Sequence, residues 1–248
     1  MKSARIGFCG VAVLLVLLAS CASTGGPAPD PDRVTLEYDF TDPASFVEGE
    51  DYEAAGGIWQ VENGRLAFNS RHDPSYVEDS KIKFLKSGNM TNCIIEMDIE
   101  VTDVYQGGAD GNAGMVLHMG QMGLGGDRLD GFYVATGKRG DNTTGNFHWE
   151  SSWFGMYSGW HDLNNKEDTG IPFGERVVHL VVKVVDGHAT ITTRHSDGRD
   201  GITVEGDTAD GRGAPPSYGS AGFRAWQCAG FIDNVKITNI GEGLDFAE

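Results

Sequence analysis

The chain has 248 residues, with 19 Lys and Arg against 36 Asp and Glu and a formal net charge of -17 at pH 7. A surface this acidic is repelled by nucleic acid and by anionic lipid headgroups, so it excludes a nucleic-acid partner and suits neutral ligands or divalent cations. The 36 glycines against 8 prolines fit many turns between strands better than a set of long helices.

Residues 1–20 read as an export signal. Lys2 and Arg5 make the positive start, and Ile6 to Leu18 is an apolar stretch broken mainly by small residues. That stretch is too short to span a hydrocarbon core of ~30 Å comfortably, and its charge pattern is that of a signal peptide. It ends in Leu18-Ala19-Ser20-Cys21, which resembles the lipobox of bacterial lipoproteins. The resemblance implies cleavage before Cys21, diacylation of its sulfur and an acylated new N-terminus. Several acyl chains on one residue anchor stably where one chain does not. Ala22 and Ser23 follow, and the lack of Asp there resembles lipoproteins sorted to the outer membrane of diderm bacteria. A cell-envelope location is therefore expected, with membrane contact through the anchor alone.

Residues 21–32 hold the lipidated Cys21 and a Gly/Pro linker that will not pack. Residues 33–248 remain for one domain, and 216 residues suffice for a single large all-β core. Cleavage removes Lys2 and Arg5 and no acid, leaving 17 basic against 36 acidic residues and a net of -19.

No helical period is sustained after the signal. Strands are expected at Thr35 to Phe40, Ile58 to Glu62, Arg65 to Asn69, Cys93 to Thr102, Ala113 to Met119 and Gly131 to Thr136. Further ones follow at Asn146 to Phe154, Val177 to Val185, His188 to Arg194, Ala221 to Ala225 and Phe231 to Ile240. Asn63-Gly64 marks the turn between two of these strands, and Asp186-Gly187 fits a two-residue type I′ turn. Val178, Leu180, Val182 and Val184 share one strand face. Strands at this spacing imply an all-β sandwich or jelly roll rather than a parallel α/β fold.

Three segments carry a further resemblance. GGIWQVENGRLAF, VVHLVVKVVDGHATITT and AGFRAWQCAGFIDNVKITNI look like the first hairpin, the central strand pair and the closing strand of concanavalin A-like jelly rolls, in that order. Laminin-G-like modules, family-16 glycoside hydrolases and 3-keto-disaccharide hydrolases share this architecture, so the resemblance implies two antiparallel sheets and polysaccharide or oligosaccharide as partner. It does not choose between sugar binding, hydrolysis and a structural or adhesive envelope role.

Glu96, Asp98 and Glu100 alternate with Cys93, Ile95, Met97, Ile99 and Val101 on opposite faces of one strand. They match the E-x-D-x-E pattern of family-16 hydrolases. That resemblance implies Glu96 as nucleophile, Glu100 as acid/base and Asp98 as the residue tuning the nucleophile. A retaining glycosidase needs its carboxyl groups ~5–5.5 Å apart, and positions i and i+4 of a strand start ~13 Å apart at Cα. The side chains would have to lean together in a cleft. The Trp-Pro lead-in of that family is replaced by Asn92-Cys93-Ile94, and an acidic solvent face over an apolar core face is the other reading.

A second concentration lies between Phe132 and His161, with eight rings in about thirty residues. Trp149, Trp153, Tyr157 and Trp160 are the candidate sugar-stacking rings, with His148 and Glu150 as polar neighbours. On that strand Trp149 and Trp153 share the face opposite His148 and Glu150, so one set is core. A third candidate is Asp233, which uninterrupted strand parity points inward with Val235 and Ile237. In related jelly rolls a structural Ca2+ joins the closing strand to the first, which implies Asp39 or Asp42 as further ligands. Ca2+ takes about six to eight oxygens, and an Asp233 hydrogen-bonded to backbone amides is the alternative. Export permits a Cys93–Cys228 disulfide, and two separate buried thiols are equally consistent.

The lipobox makes a direct prediction. Cys21→Ser is expected to leave an uncleaved, non-acylated precursor, and mass spectrometry showing cleavage elsewhere with a free amine would contradict it.

Overall fold

Alternating apolar and polar residues become paired strands in the computed structural model. It describes residues 34–70, 79–105, 111–120, 122–123, 131–138, 144–152, 161–162, 167–172, 177–195, 198, 200–208 and 218–241. For 34, 137–138, 144–152, 161–162, 167–172, 200 and 202 only the backbone course is described. The strands are β1 (Val34–Tyr38), β2 (Tyr52–Ala55), β3 (Ile58–Glu62), β4 (Arg65–Asn69), β5 (Asp79–Phe84), β6 (Cys93–Val104), β7 (Gly111–Met119) and β8 (Gly131–Lys138). They continue as β9 (Thr144–Ser152), β10 (His161–Asp162), β11 (Glu167–Pro172), β12 (Val178–Val185), β13 (His188–His195), β14 (Asp200–Asp207), β15 (Ser220–Trp226) and β16 (Cys228–Asn239).

Among the described residues these form two 8-stranded antiparallel sheets. The first runs β14-β13-β12-β6-β16-β4-β3, with β1 beside β4 on the far edge of β16. The second runs β10-β9-β8-β7-β15-β5-β2, with β11 on β9. One apolar cluster fills the space between them. Ile95, Met97, Leu180, Val182, Ile191, Ile232 and Ile237 come from the first sheet, and Ile82, Phe84, Met115, Leu117, Val134 and Phe223 from the second. Phe68 and Phe223 meet across the layers with ring centroids 5.2 Å apart. Their burial is the main term holding the sheets together. This is the jelly-roll sandwich of two antiparallel sheets expected from the sequence.

The turns follow their residues. Asn63 and Gly64 have φ of 52° and 75°, and Asp186 and Gly187 have 50° and 78°. Positive φ at both central positions is the type I′ geometry that matches strand twist. Where β7 and β8 approach closely, Gly114 is required: a Cβ there would lie 2.0 Å from the Val134 carbonyl oxygen.

Strands β2, β5, β10, β11 and β14 were not legible as strands. β5 reads Asp-Ser-Lys-Ile-Lys-Phe, yet Asp79, Ser80, Lys81, Ile82 and Phe84 are all buried. A strand buried on both faces loses the polar-out alternation by which strands are read.

The sequence left Cys93 and Cys228 open between a disulfide and two separate thiols; they are free, buried thiols, not a disulfide. Cys93 pairs with Asn239 at one end of the β6–β16 ladder and Cys228 with Val104 at the other, roughly 35 Å apart at ~3.3 Å per residue, far beyond bridging distance. Burial pushes the Cys93 thiol up to about 12, which removes its thiolate at neutral pH. One sequence expectation is corrected: Asp233 does not point inward. A bulge between Asp233 and Lys236, with Asn234 at φ 50°, shifts the parity of β16 by one residue. Ile232 and Val235 are thus both buried while Asp233 stands on the outer face opposite Asp98.

Both thiols are expected to resist a thiol reagent in the native protein and to react fully after denaturation. A reductant-sensitive shift in gel mobility would contradict this.

Candidate functional site

The second sheet is buried on both of its faces at β5, β7, β8 and β15. Its inner face joins the inter-sheet core; its outer face carries a separate apolar cluster of Val116, Met119, Tyr133 and Ala135, with Met122 packed on it. Register places three rows of residues across that outer face. Lys81, Arg224, Gly114, Ala135 and His148 stand opposite one another in turn. Lys83, Gly222, Val116, Tyr133 and Glu150 form the next row, and Asp79, Trp226, Asn112, Gly137 and Asn146 the third.

Three charges are buried in these rows. Asp79 and Lys81 side chains are 0% exposed and Arg224 is 4% exposed. Asp79 pairs with Lys81 through one oxygen and accepts from Arg224 Nε at 2.9 Å through the other. Lys81 Nζ also donates to the Gly123 carbonyl at 3.0 Å, which brings chain near Gly123 across this face. The Arg224 guanidinium lies 5.1 Å from the ring centroids of both Tyr133 and Trp226, close enough for cation–π attraction. Tyr133 donates through its hydroxyl to Asn112 Oδ1 at 2.6 Å. Taking ions out of water costs several kcal/mol each unless they are paired and hydrogen-bonded. Here a shared carboxylate, two rings and the Gly123 carbonyl help meet that requirement.

Asp79, Lys81 and Arg224 were missed at the level of sequence. Arg224 in Gly-Phe-Arg-Ala-Trp is the one visible signal: a lone cation inside an otherwise apolar strand. His148 and Glu150, proposed as sugar-contacting neighbours, pair with Ala135 and Tyr133 of the outer cluster, whereas Trp149 pairs with Val134 of the inter-sheet core. Their side chains, and Trp153, Tyr157 and Trp160 altogether, lie outside the described residues. So does Cys21.

The acidic row Glu96, Asp98 and Glu100 lies on the other sheet, facing away from the core between β12 and β16. Arg65 Nη1 donates to Glu100 Oε2 at 2.6 Å while its guanidinium sits 3.9 Å from the Phe231 ring centroid. Asp98 accepts from Asn234 Nδ2 at 2.7 Å and pairs with His179 Nδ1 at 2.8 Å; His179 Nε2 is 3.9 Å from Glu96. Burial alone would raise the Asp98 carboxyl, but the His179 and Asn234 hydrogen bonds and the nearby imidazole outweigh it and hold it below its ordinary range. The depression among Arg65, Asp98, Glu100, Phe231 and Asp233 measures about 60 Å³, room for a few waters rather than a sugar ring. Glu100, the implied acid/base, is thus engaged by a cation, and Phe231 is the aromatic wall of this depression among the described residues.

Asp39 accepts through Oδ1 from the Thr41 amide and hydroxyl, and Asp42 caps the short 3-10 turn Pro43–Ser45 by accepting from Ala44 N. Among the described residues no group of three or more His, Cys, Asp or Glu side chains is placed to hold a metal ion. Asp39, Asp42 and Asp233 therefore do not assemble the oxygen cage a Ca2+ requires.

No protein-family model matches this sequence, and no curated protein matches it. Solved structures match its fold. The exoplasmic/lumenal domain of VIP36, in a Ca2+- and Man2-bound form, superposes with a TM-score of 0.55 at 10% identity over 82% of this chain and 91% of that one. The legume lectin-like domain from Entamoeba histolytica gives 0.52 at 9% identity, over 77% and 91%. The metal-free lectin I-B4 from Griffonia simplicifolia gives 0.51 at 14% identity, over 84% and 100%. At these identities the likeness is one of fold, a lectin-like jelly roll.

The outer face of the first sheet yields a pH prediction. Burial, chiefly, and then the charges of Asp98 and Asp39 raise the Asp233 carboxyl, against the Asn234 N–H and Arg65. Its ionised form is less favourable in the folded chain than in the unfolded one. The resulting penalty is full above the raised folded pKa and vanishes below the ordinary value of 3.8. Asp233→Asn is expected to raise Tm at neutral pH, with the gain shrinking as the pH falls through that window. A gain that grows on acidification, read from thermal melts, would contradict it.

Proposed function

We propose that this chain is a glycan-binding protein of the bacterial cell envelope, tethered by lipid on Cys21, with the outer face of the second sheet as its sugar site. In this reading residues 1–20 are removed, 21–32 form the tether and 33–248 the binding domain. The observation that carries it is the buried Asp79–Lys81–Arg224 network between Tyr133 and Trp226. The outer face of a sandwich sheet is ordinarily solvated, yet the middle of this one is covered and holds fixed charges beside aromatic rings. The buried charges and Tyr133 hold this face rigid, and Trp226, part-exposed at its margin, is the ring able to cover the C–H face of a sugar. Lectin-like neighbours in fold space support the reading, and so does the register that brings His148 and Glu150 to the same rows.

The acidic row on the first sheet has a more modest role here. With Glu100 on Arg65 and Asp98 on His179 and Asn234, the row is a set of cross-strand ties holding the closing strand in register. Hydrolysis by it would need the Arg65 pair broken and a cleft larger than the one described.

The test is a glycan array with the full chain in detergent, followed by titration of the best ligand. Trp226→Ala, Trp153→Ala and Trp160→Ala are each expected to weaken binding by about 1–3 kcal/mol, and the latter two to leave Tm nearly unchanged. Binding that merely tracks the folded fraction across all three variants would sink the proposal.

A further inference from the structure

A second cavity lies away from both faces discussed so far. It sits between β1, the turn around Ser45 and Phe46, and the 3-10 turn that follows β5, and measures about 270 Å³, near the lower end of the ~300–1,000 Å³ of ligand pockets. Tyr38 stands in its wall. Its ring is stacked on Phe84 and set edge-on to Phe46, both at 5.4 Å between centroids, so the hydroxyl position is fixed. That hydroxyl is buried and, among the described residues, has no hydrogen-bond partner, a state that costs free energy until something pairs with it.

The groups around it define what would pair. Asp51 is 4% exposed; one carboxylate oxygen takes Lys86 Nζ at 2.6 Å and the other takes the Val47 amide at 2.8 Å. Each oxygen retains a lone pair, and Lys86, at 49% side-chain exposure, retains donors at the rim. The Asp51–Lys86 pair is neutral as a unit, while Glu37 and Asp39 at the margin disfavour an anion. Phe40 and Phe46 add apolar wall. A fixed phenol that both gives and accepts, beside a carboxylate–ammonium pair, suits two adjacent hydroxyls on a small uncharged ring. We propose that this pocket binds a single neutral sugar ring through a vicinal diol, at a site distinct from the second-sheet face and independent of it.

Saturation-transfer NMR and thermal shift on the full chain in detergent, with D-glucose, D-galactose and glycerol as probes, test this. At least one of the two sugars is expected to receive saturation and to raise Tm. Tyr38→Phe should weaken it about three- to tenfold, as loss of one hydrogen bond does, without lowering the Tm of the unliganded protein, because the hydroxyl it removes has no partner to lose. Lys86→Met, at a half-exposed position, should weaken the same sugar and decides the matter should Tyr38→Phe not fold. Silence from both sugars, or wild-type affinity in Lys86→Met, overturns the proposal and leaves only water in the pocket. A loss of monosaccharide binding in Trp226→Ala alone also overturns it, while the second-sheet reading stands.

Discussion

The ladder between β6 and β16 is the constraint on which the rest of the first sheet depends. Both strands have 12 residues, and they pair from Cys228 opposite Val104 to Asn239 opposite Cys93. Because side chains alternate with period two, this single register buries Ile95, Met97 and Ile99 against Ile232 and Ile237 and at the same time commits Glu96, Asp98 and Glu100 to the outer face. Two carboxylates, Asp98 and Asp233, are thereby forced opposite each other, an arrangement that is unfavourable on its own. The chain answers with the bulge at Asn234. Its side-chain amide reaches Asp98, His179 takes the other Asp98 oxygen from the neighbouring strand, and Arg65 serves Glu100 from β4.

The second sheet solves the opposite problem. Its four middle strands have no dry-to-wet polarity, since both faces are covered. Any polar side chain on them has to find its partner inside the protein. Asp79 serves two cations from adjacent strands, β5 and β15, and Tyr133 on β8 closes on Asn112 of β7. The glycines and alanine at Gly114, Gly222 and Ala135 between these groups are consequences of the same crowding, for a Cβ at Gly222 would meet the Ile82 carbonyl oxygen at 2.7 Å. A network so fully paired is rigid, and rigidity is what a recognition surface needs if binding is not to spend its free energy on ordering side chains.

Charge ties these features to the proposed role. A chain with 36 acids against 19 bases nevertheless buries one lysine and one arginine, Lys81 and Arg224, together on one sheet face. Most of the described acidic side chains face solvent, where net negative charge repels anionic surfaces.

Local chemistry was enough for much of the fold. Asn63-Gly64 and Asp186-Gly187 could only be tight turns between strands of the right twist, and the alternation of Val178, Leu180, Val182 and Val184 could only be a half-buried strand. The resemblance of Leu18-Ala19-Ser20-Cys21 to a lipobox rests likewise on a purely local reading. The sequence alone also placed Glu96, Asp98 and Glu100 together on one solvent-side face. It did not show that β5 is a strand, because Lys81 buried against Asp79 and Arg224 looks, in one dimension, like ordinary surface charge. Nor did it reveal the half-turn of parity at Asn234, since Asn with positive φ is indistinguishable in sequence from Asn in a strand. Those features depend on residues more than a hundred positions apart meeting across a sheet, Asp79 with Arg224 and Asp98 with Asn234. Pairings of that range are decided by which layer covers which face, and that is a property of the packed sandwich rather than of any segment within it.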